Sequence, residues 1–202
     1  MIARLNDYMT EMADLPETAR AAVAALAPYT DLDWKQVPAG DLEWSCWQTA
    51  LHMADALYFY AMQVVYGQQD GYLCTELALD DSASPRRLID AVSAHADLLH
   101  RITQSADRDL RAYHVYGISD PAGFAAMGVV EMLIHTLDVV RGLSPADPWR
   151  PPDVLAAPVI ARLFPDAPSG DPADVLLYCC GRAGLREMPR QTQWQWDGTV
   201  RA

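Results

Sequence analysis

Glu131, His135 and Asp138 are the only ionisable residues in the apolar run PAGFAAMGVVEMLIHTLDVV. At 100° per residue on an α-helix they share an arc of about 60°, and nearly all of the remaining circumference is apolar. A helix apolar on almost every side is buried, and a buried charge must be paired, neutralised or bound to a metal. Glu131 and His135 are four residues apart, so their side chains project side by side, as two ligands of one ion would. An E-x-x-x-H pair also arises by chance.

A second stripe offers a partner. In WQTALHMADALYFYAMQ the residues Gln48, His52, Asp55, Phe59 and Gln63 share one helical face. That face is either the wet side of its helix or the side opposite Glu131 and His135. Phe59 in its middle favours the inward reading, and both stay open. Under the inward reading Gln48, Asp55 and Phe59 bind substrate beside His52. Each histidine is followed three residues later by an aspartate, in HMAD and HTLD. Asp55 and Asp138 could each take a second ring N–H and fix a tautomer. Alternatively each pairs with an arginine, Arg141 being the local candidate for Asp138. His95 falls on the apolar stripe Leu88, Val92, Leu99 and Ile102, as a core histidine or a pocket wall. His100 and His114 are expected to face solvent.

The elements that must position these groups are helices. Helical material is expected over residues 3–27, with Pro16 starting a new turn and Pro28 ending it. Ser45 and Gln48 form a capping box for a helix running to about Val65, closed by Gly67. Ser84 and Pro85 open a third helix to about Thr103. Asp120 and Pro121 open a fourth to Arg141, with Gly142 as the stop. The apolar stripes place Leu88, Val92, Leu99, Ile102, Met127, Ile134 and Leu137 in the core.

Residues 145–172 hold eight of the fourteen prolines and leave room for one short helix near 152–163. Another short helix is expected from Asp171 to about Ala183. In the tail RQTQWQWDG, Thr192, Trp194 and Trp196 alternate with polar residues, so one face of an extended strand packs inward. The fold class is all-α: a four-helix bundle over residues 1–144 and a Pro-rich C-terminal extension over 145–202 packed on it.

With 51% apolar residues the 202-residue chain can bury a core without disulfides. Its net charge of −12 argues against nucleic acid as a partner. No apolar run reaches the length of a membrane span, and MIARLNDYMTEM lacks a signal-peptide core, so the expected location is cytoplasmic and no membrane is involved. Cys46, Cys74, Cys179 and Cys180 lack zinc-ribbon spacing, and Cys179 and Cys180 read as small core residues. GxSxG, P-loop and GxGxxG motifs are absent from the sequence.

Three segments carry a resemblance. DLDWKQVPAGDLEWSCWQTALHMADA matches a Trp-containing loop before a helix with a histidine, and EMLIHTLDVVRGL matches an E-x-x-x-H-x-x-D helix. LLYCCGRAGLREMPRQTQWQWDG looks like a short C-terminal segment. Together they resemble the DinB-like superfamily, and within it the metal-binding domain of the mycothiol-dependent maleylpyruvate isomerase type, over nearly the whole chain. The resemblance implies a bundle whose divalent metal is held by His52, Glu131 and His135, with Glu131 and His135 central to catalysis. It departs from the family in reading VPAGDLEW where a CPGW-like sequence is common. The larger C-terminal domain of the isomerase, with its substrate arginine, is also missing, and Arg182 is the one candidate for that role.

Three protein ligands leave a position open, as in catalytic zinc sites. Zinc is the expected ion, with nickel or iron(II) as alternatives. A metal-bound thiol ionises below its free pKa of about 8.5. The resemblance therefore implies a small-molecule electrophile and a low-molecular-weight thiol of the mycothiol kind as partners, joined by an S-transferase or a cis–trans isomerase. A Lewis-acid isomerase, lyase or cyclase needing no thiol, and a non-catalytic metal-binding module, are the alternatives. Two histidines and a carboxylate are also the ligand set of non-haem iron oxygenases. The chain is expected to be a monomer or a homodimer.

Overall fold

The structure, a computed structural model, describes residues 13–75, 77–78, 80, 82–146 and 149–201. Within them the chain is all-α, with six α-helices and no named strand. Helix α1 spans Leu15–Leu26, and a 3-10 turn follows at Ala27–Tyr29. The expected helical start over residues 3–12 lies outside the described residues. Helix α2 spans Cys46–Tyr66, α3 Pro85–Ser105, α4 Pro121–Leu143, α5 Asp153–Leu163 and α6 Pro172–Cys179.

The helix starts follow from capping chemistry. Ser45 Oγ accepts the Gln48 amide N–H at 3.2 Å, and Gln48 Oε1 accepts the Ser45 N–H at 2.9 Å, so two orphan donors are satisfied together. Asp120 Oδ1 accepts the Gly123 N–H at 2.7 Å at the head of α4. Gly67, at φ 63°, caps α2 in the left-handed conformation.

Helix α4 packs against α1, α2, α3 and α5, while α1 and α2 each also pack on α3. Three helices close on α4 at Gly128. A Cβ there would lie 2.6 Å from Leu99 Cδ2 and 3.1 Å from both Leu15 Cδ2 and Leu57 Cδ2. One leucine from each of three helices therefore closes on a single missing side chain. Leu88, Val92, Leu99, Met127, Ile134 and Leu137 are buried, and Ile102 is half-buried. Helix α4 alone among the described residues is long and apolar enough to cross a membrane, and its faces are covered by protein.

Two boundaries differ from expectation. Helix α4 runs through Gly142 to Leu143 rather than stopping there. The glycine serves packing: a Cβ at Gly142 would meet the Pro38 carbonyl oxygen of the loop before α2, so that loop rests directly on α4. Helix α6 ends at Cys179, not near Ala183, because Gly181 turns the chain at φ 65°.

The tail is a fixed wall. Trp196 is buried and Trp194 half-buried, whereas Thr192 is exposed and does not share the inward face. The Asp197 N–H donates to Leu163 O at 2.8 Å and the Gly198 N–H to Tyr116 O at 2.7 Å. Arg162 clamps the same segment, donating to Gly198 O and Thr199 O while reaching Asp120 Oδ1 at 2.9 Å.

Candidate metal centre

Helices α2 and α4 bring three donor atoms together. Glu131 Oε2 lies 3.1 Å from His135 Nε2 and 3.5 Å from His52 Nε2. All three lie within 4.8 Å of one another, so the group could hold a metal ion. The other carboxylate oxygen, Oε1, accepts the Tyr60 hydroxyl at 2.9 Å. That bond leaves Oε2 as the oxygen turned to the histidines. The His135 side chain is 12% exposed and that of His52 is 37%, so the centre is approached from the His52 side.

Behind His135 the two readings of Asp138 hold at once. Its Oδ2 lies 3.1 Å from His135 Nδ1, and the same carboxylate receives Arg182 through Nη2 at 2.7 Å and Nε at 3.2 Å. The arginine is Arg182 and not Arg141, whose Nη1 donates to the Arg182 backbone carbonyl at 3.2 Å. Gly181 makes this placement: it holds a positive φ, and a Cβ on it would stand 2.7 Å from Trp194 Cδ1. The Arg182 amide then donates to Leu177 O at 2.7 Å, turning the guanidinium back toward α4.

Each of these groups is held in its charged form by its neighbours. Two carboxylates flank one imidazole, so a neutral ring satisfies only one of them. Burial pulls the His135 pKa down, but hydrogen bonds and charge from Asp138 and Glu131 outweigh it and raise the value to about 9. Burial disfavours the Glu131 carboxylate, yet His135 and His52 hold its pKa well below the usual range. Burial likewise opposes ionised Asp138, and His135 and Arg182 overcome it. A metal held by His52, Glu131 and His135 would take the place of the second His135 proton, with Asp138 keeping the Nδ1–H, as for metal-bound histidines generally. Two imidazole nitrogens and one carboxylate oxygen form a donor set that could hold a metal ion.

The three donors line a cavity of about 540 Å³. Its walls include Trp44, His114, Tyr116, Trp194 and Trp196, besides the buried Tyr60. The Trp44 ring stands 5.1 Å from that of His52. Arg182 also reaches this cavity, with its guanidinium 5.5 Å from the Trp194 ring centroid.

The other expected site residues fall elsewhere. Gln48 is exposed in its capping box, and with Asp55 it lines a separate cavity of about 280 Å³ that shares only Trp44 and His52 with the first. Phe59 packs edge-on against Tyr72 at 5.0 Å. His95 is half-buried, with Nδ1 2.8 Å from the Ala54 carbonyl oxygen, and lines neither cavity. The stripe through His52 is thus a boundary, running from exposed Gln48 to buried Gln63, whose amide holds Gly71 O and the Leu73 N–H.

His114 corrects the expectation that it faces solvent. It is buried, stacked 5.8 Å from Trp196, and burial lowers its pKa to about 4 against the opposing charge of Glu131. Sequence reasoning gave Tyr60, Trp44 and Tyr116 no role. The cue lay in aromatic clustering: LYFYAM beside His52 and AYHVYG beside His114. No protein-family model matches this chain, and neither does any curated protein or solved structure with which it was compared.

Proposed function

We propose that this protein is a divalent-metal-dependent enzyme of the DinB-like four-helix-bundle type, using a low-molecular-weight thiol of the mycothiol kind on a small electrophile. The convergence of His52 Nε2, Glu131 Oε2 and His135 Nε2 on the wall of a roomy cavity carries this reading. Three ligands and an accessible side are the arrangement of a catalytic site rather than a closed structural one. Zinc is the ion that best suits the donor set.

When bound, the ion supplies positive charge that favours thiolate over thiol at neutral pH and polarises an oxygen of the substrate. The chain supplies the rest. Asp138, held by Arg182, keeps His135 in one tautomer. Tyr60 directs Glu131 by occupying its second oxygen. Glu131 leaves the centre with one negative ligand, so a bound divalent ion keeps net positive charge. The aromatic walls exclude water around the electrophile. The sulfur then adds to an electrophilic carbon. Expelling a leaving group gives a thioether; releasing the sulfur again after bond rotation gives a cis–trans isomerisation.

The aromatic walls also support a second reading, a Lewis-acid isomerase, lyase or cyclase that needs no thiol, since they suit an apolar substrate. Zinc-loaded and metal-stripped protein, each given a panel of activated alkenes and aryl halides with and without mycothiol, separates the two by mass spectrometry of products. Thiol-dependent, zinc-dependent turnover is expected. Zinc-dependent turnover indifferent to thiol leaves the Lewis-acid reading, and turnover by stripped protein removes both.

A further inference from the structure

The smaller cavity beside the metal centre has no part in the chemistry above, yet it adjoins it. Trp44, Gln48, Leu51, His52, Asp55 and Leu77 line it, and two of these, Trp44 and His52, are also walls of the larger cavity. Gln48, Leu51, His52 and Asp55 share one side of α2, and a helix turns side chains rather than backbone toward whatever it borders. The Trp44 indole leans on the His52 ring, with centroids 5.1 Å apart and planes at 60°. Trp44 is nonetheless 44% exposed, so much of a large apolar ring is uncovered at the junction of the two cavities. An uncovered aromatic ring on a concave wall is a feature of small-molecule sites.

The polar groups narrow the ligand. Gln48 Oε1 is taken by the Ser45 N–H, which leaves Asp55 to give the smaller cavity its charge. Arg182 is the one lysine or arginine on either cavity, and Asp138 and the Cys180 carbonyl oxygen engage it. The wall therefore combines an indole face with a carboxylate and carries no competing cation. The negative face of an aromatic ring and a carboxylate both attract positive charge, and a concave wall of one sign concentrates the effect. We propose that the smaller cavity is a subsite for an ammonium group of the substrate, seated on the Trp44 indole with Asp55 as its counter-charge. The rest of the molecule passes His52 into the larger cavity. This rests on the reading of the larger cavity as the substrate site, and it narrows the substrate to a small amine-bearing molecule.

The test compares two probes of one shape, choline and 3,3-dimethylbutan-1-ol, which differ by a positively charged nitrogen in place of a carbon. Proton–nitrogen correlation spectra of the tryptophan indoles follow both titrations, with the Trp44 signal assigned by its loss in Trp44→Leu. Choline should move that signal and bind about 3–30-fold more tightly than the alcohol, the worth of a cation on an aromatic face. Added salt should narrow the preference. Asp55→Asn and Trp44→Leu should each erase most of it, and Trp44→Phe, which keeps an aromatic face, should retain part. Equal affinity for the two probes, an unmoved Trp44 signal, a preference that survives both Asp55→Asn and Trp44→Leu, or binding of neither probe overturns the proposal. The spectra are read on metal-free and zinc-loaded protein alike. Failure of the chain to hold zinc therefore sinks the metal centre and leaves this result intact, whereas equal affinities sink the subsite and leave the metal centre untouched.

Discussion

The chain writes the same four-residue pattern twice, His-x-x-Asp on α2 and on α4, and the fold gives the two copies different work. On α4, His135 is 12% exposed and lies 3.1 Å from buried Asp138, with Arg182 closing on the aspartate from beyond α6. On α2, His52 is half-exposed, and Asp55 lies on a separate shallow cavity. A spacing of three puts a carboxylate within reach of a histidine on any helix. Whether it orients that histidine depends on burial, which strengthens the bond, and on a second partner that keeps the carboxylate charged. On α4 the packed surround supplies the burial and Arg182 the partner. In the proposed metal centre this difference makes His135 the fixed ligand of the pair and His52 the adjustable one.

Removing the fixed ligand should have the largest effect. The wild-type protein is expected to purify with about one divalent ion per chain, and His135→Ala should lose nearly all of it while keeping its helical circular dichroism. Full metal occupancy in that variant would dissolve the contrast between the two copies.

Arg182→Met comes next. It keeps much of the side-chain volume and strands the buried Asp138 charge, so unfolding in denaturant should show a loss of about 3 kcal/mol. A loss below about 0.5 kcal/mol would mean that Asp138 needs no partner beyond His135.

The pH dependence of the metal-free protein sharpens the same point. His135 is raised from an ordinary 6.5 to about 9 in the folded chain, so folding favours its protonated form. That contribution is fully present below pH 6.5 and is lost as pH rises through about 9. Melting temperature should therefore fall across this window in metal-free protein, and fall less in Asp138→Asn or with zinc bound. A flat profile in metal-free wild type would contradict it.

The two aspartates give the smaller effects. Asp138→Asn should weaken metal binding by roughly 10–100-fold. Asp55→Asn should change it by less than about threefold, because Asp55 lies outside the cavity that the three donors line. Competition with a chelator of known affinity measures both, and equal losses would put the two copies on the same footing.

Much of the frame was legible. The Ser45–Gln48 box, the Ser84–Pro85 and Asp120–Pro121 starts and the apolar stripes of α3 and α4 are local statements, settled by capping chemistry and helical period. The helix stop misread at Gly142 shows the limit. A glycine near a helix end reads as a cap, but the contact that needs it comes from Pro38, about a hundred residues away in the chain. His114 failed for a similar reason: the aromatic cluster AYHVYG around it does not say that Trp196, about eighty residues further on, will be laid across it.

The sequence by itself determined that Glu131, His135 and Asp138 would share one face of a buried helix, because a period of 3.6 residues and an apolar surround leave no other arrangement. It left His52 on a stripe that could face either way. Only the tertiary structure turned His52 of that stripe toward Glu131 on α4, selected Arg182 over the nearer Arg141, and brought the C-terminal tryptophans over the cavity. Those choices depend on contacts between residues far apart in the chain. Local periodicity carries no record of them, because they are settled by which faces pack together and which buried charges find a partner.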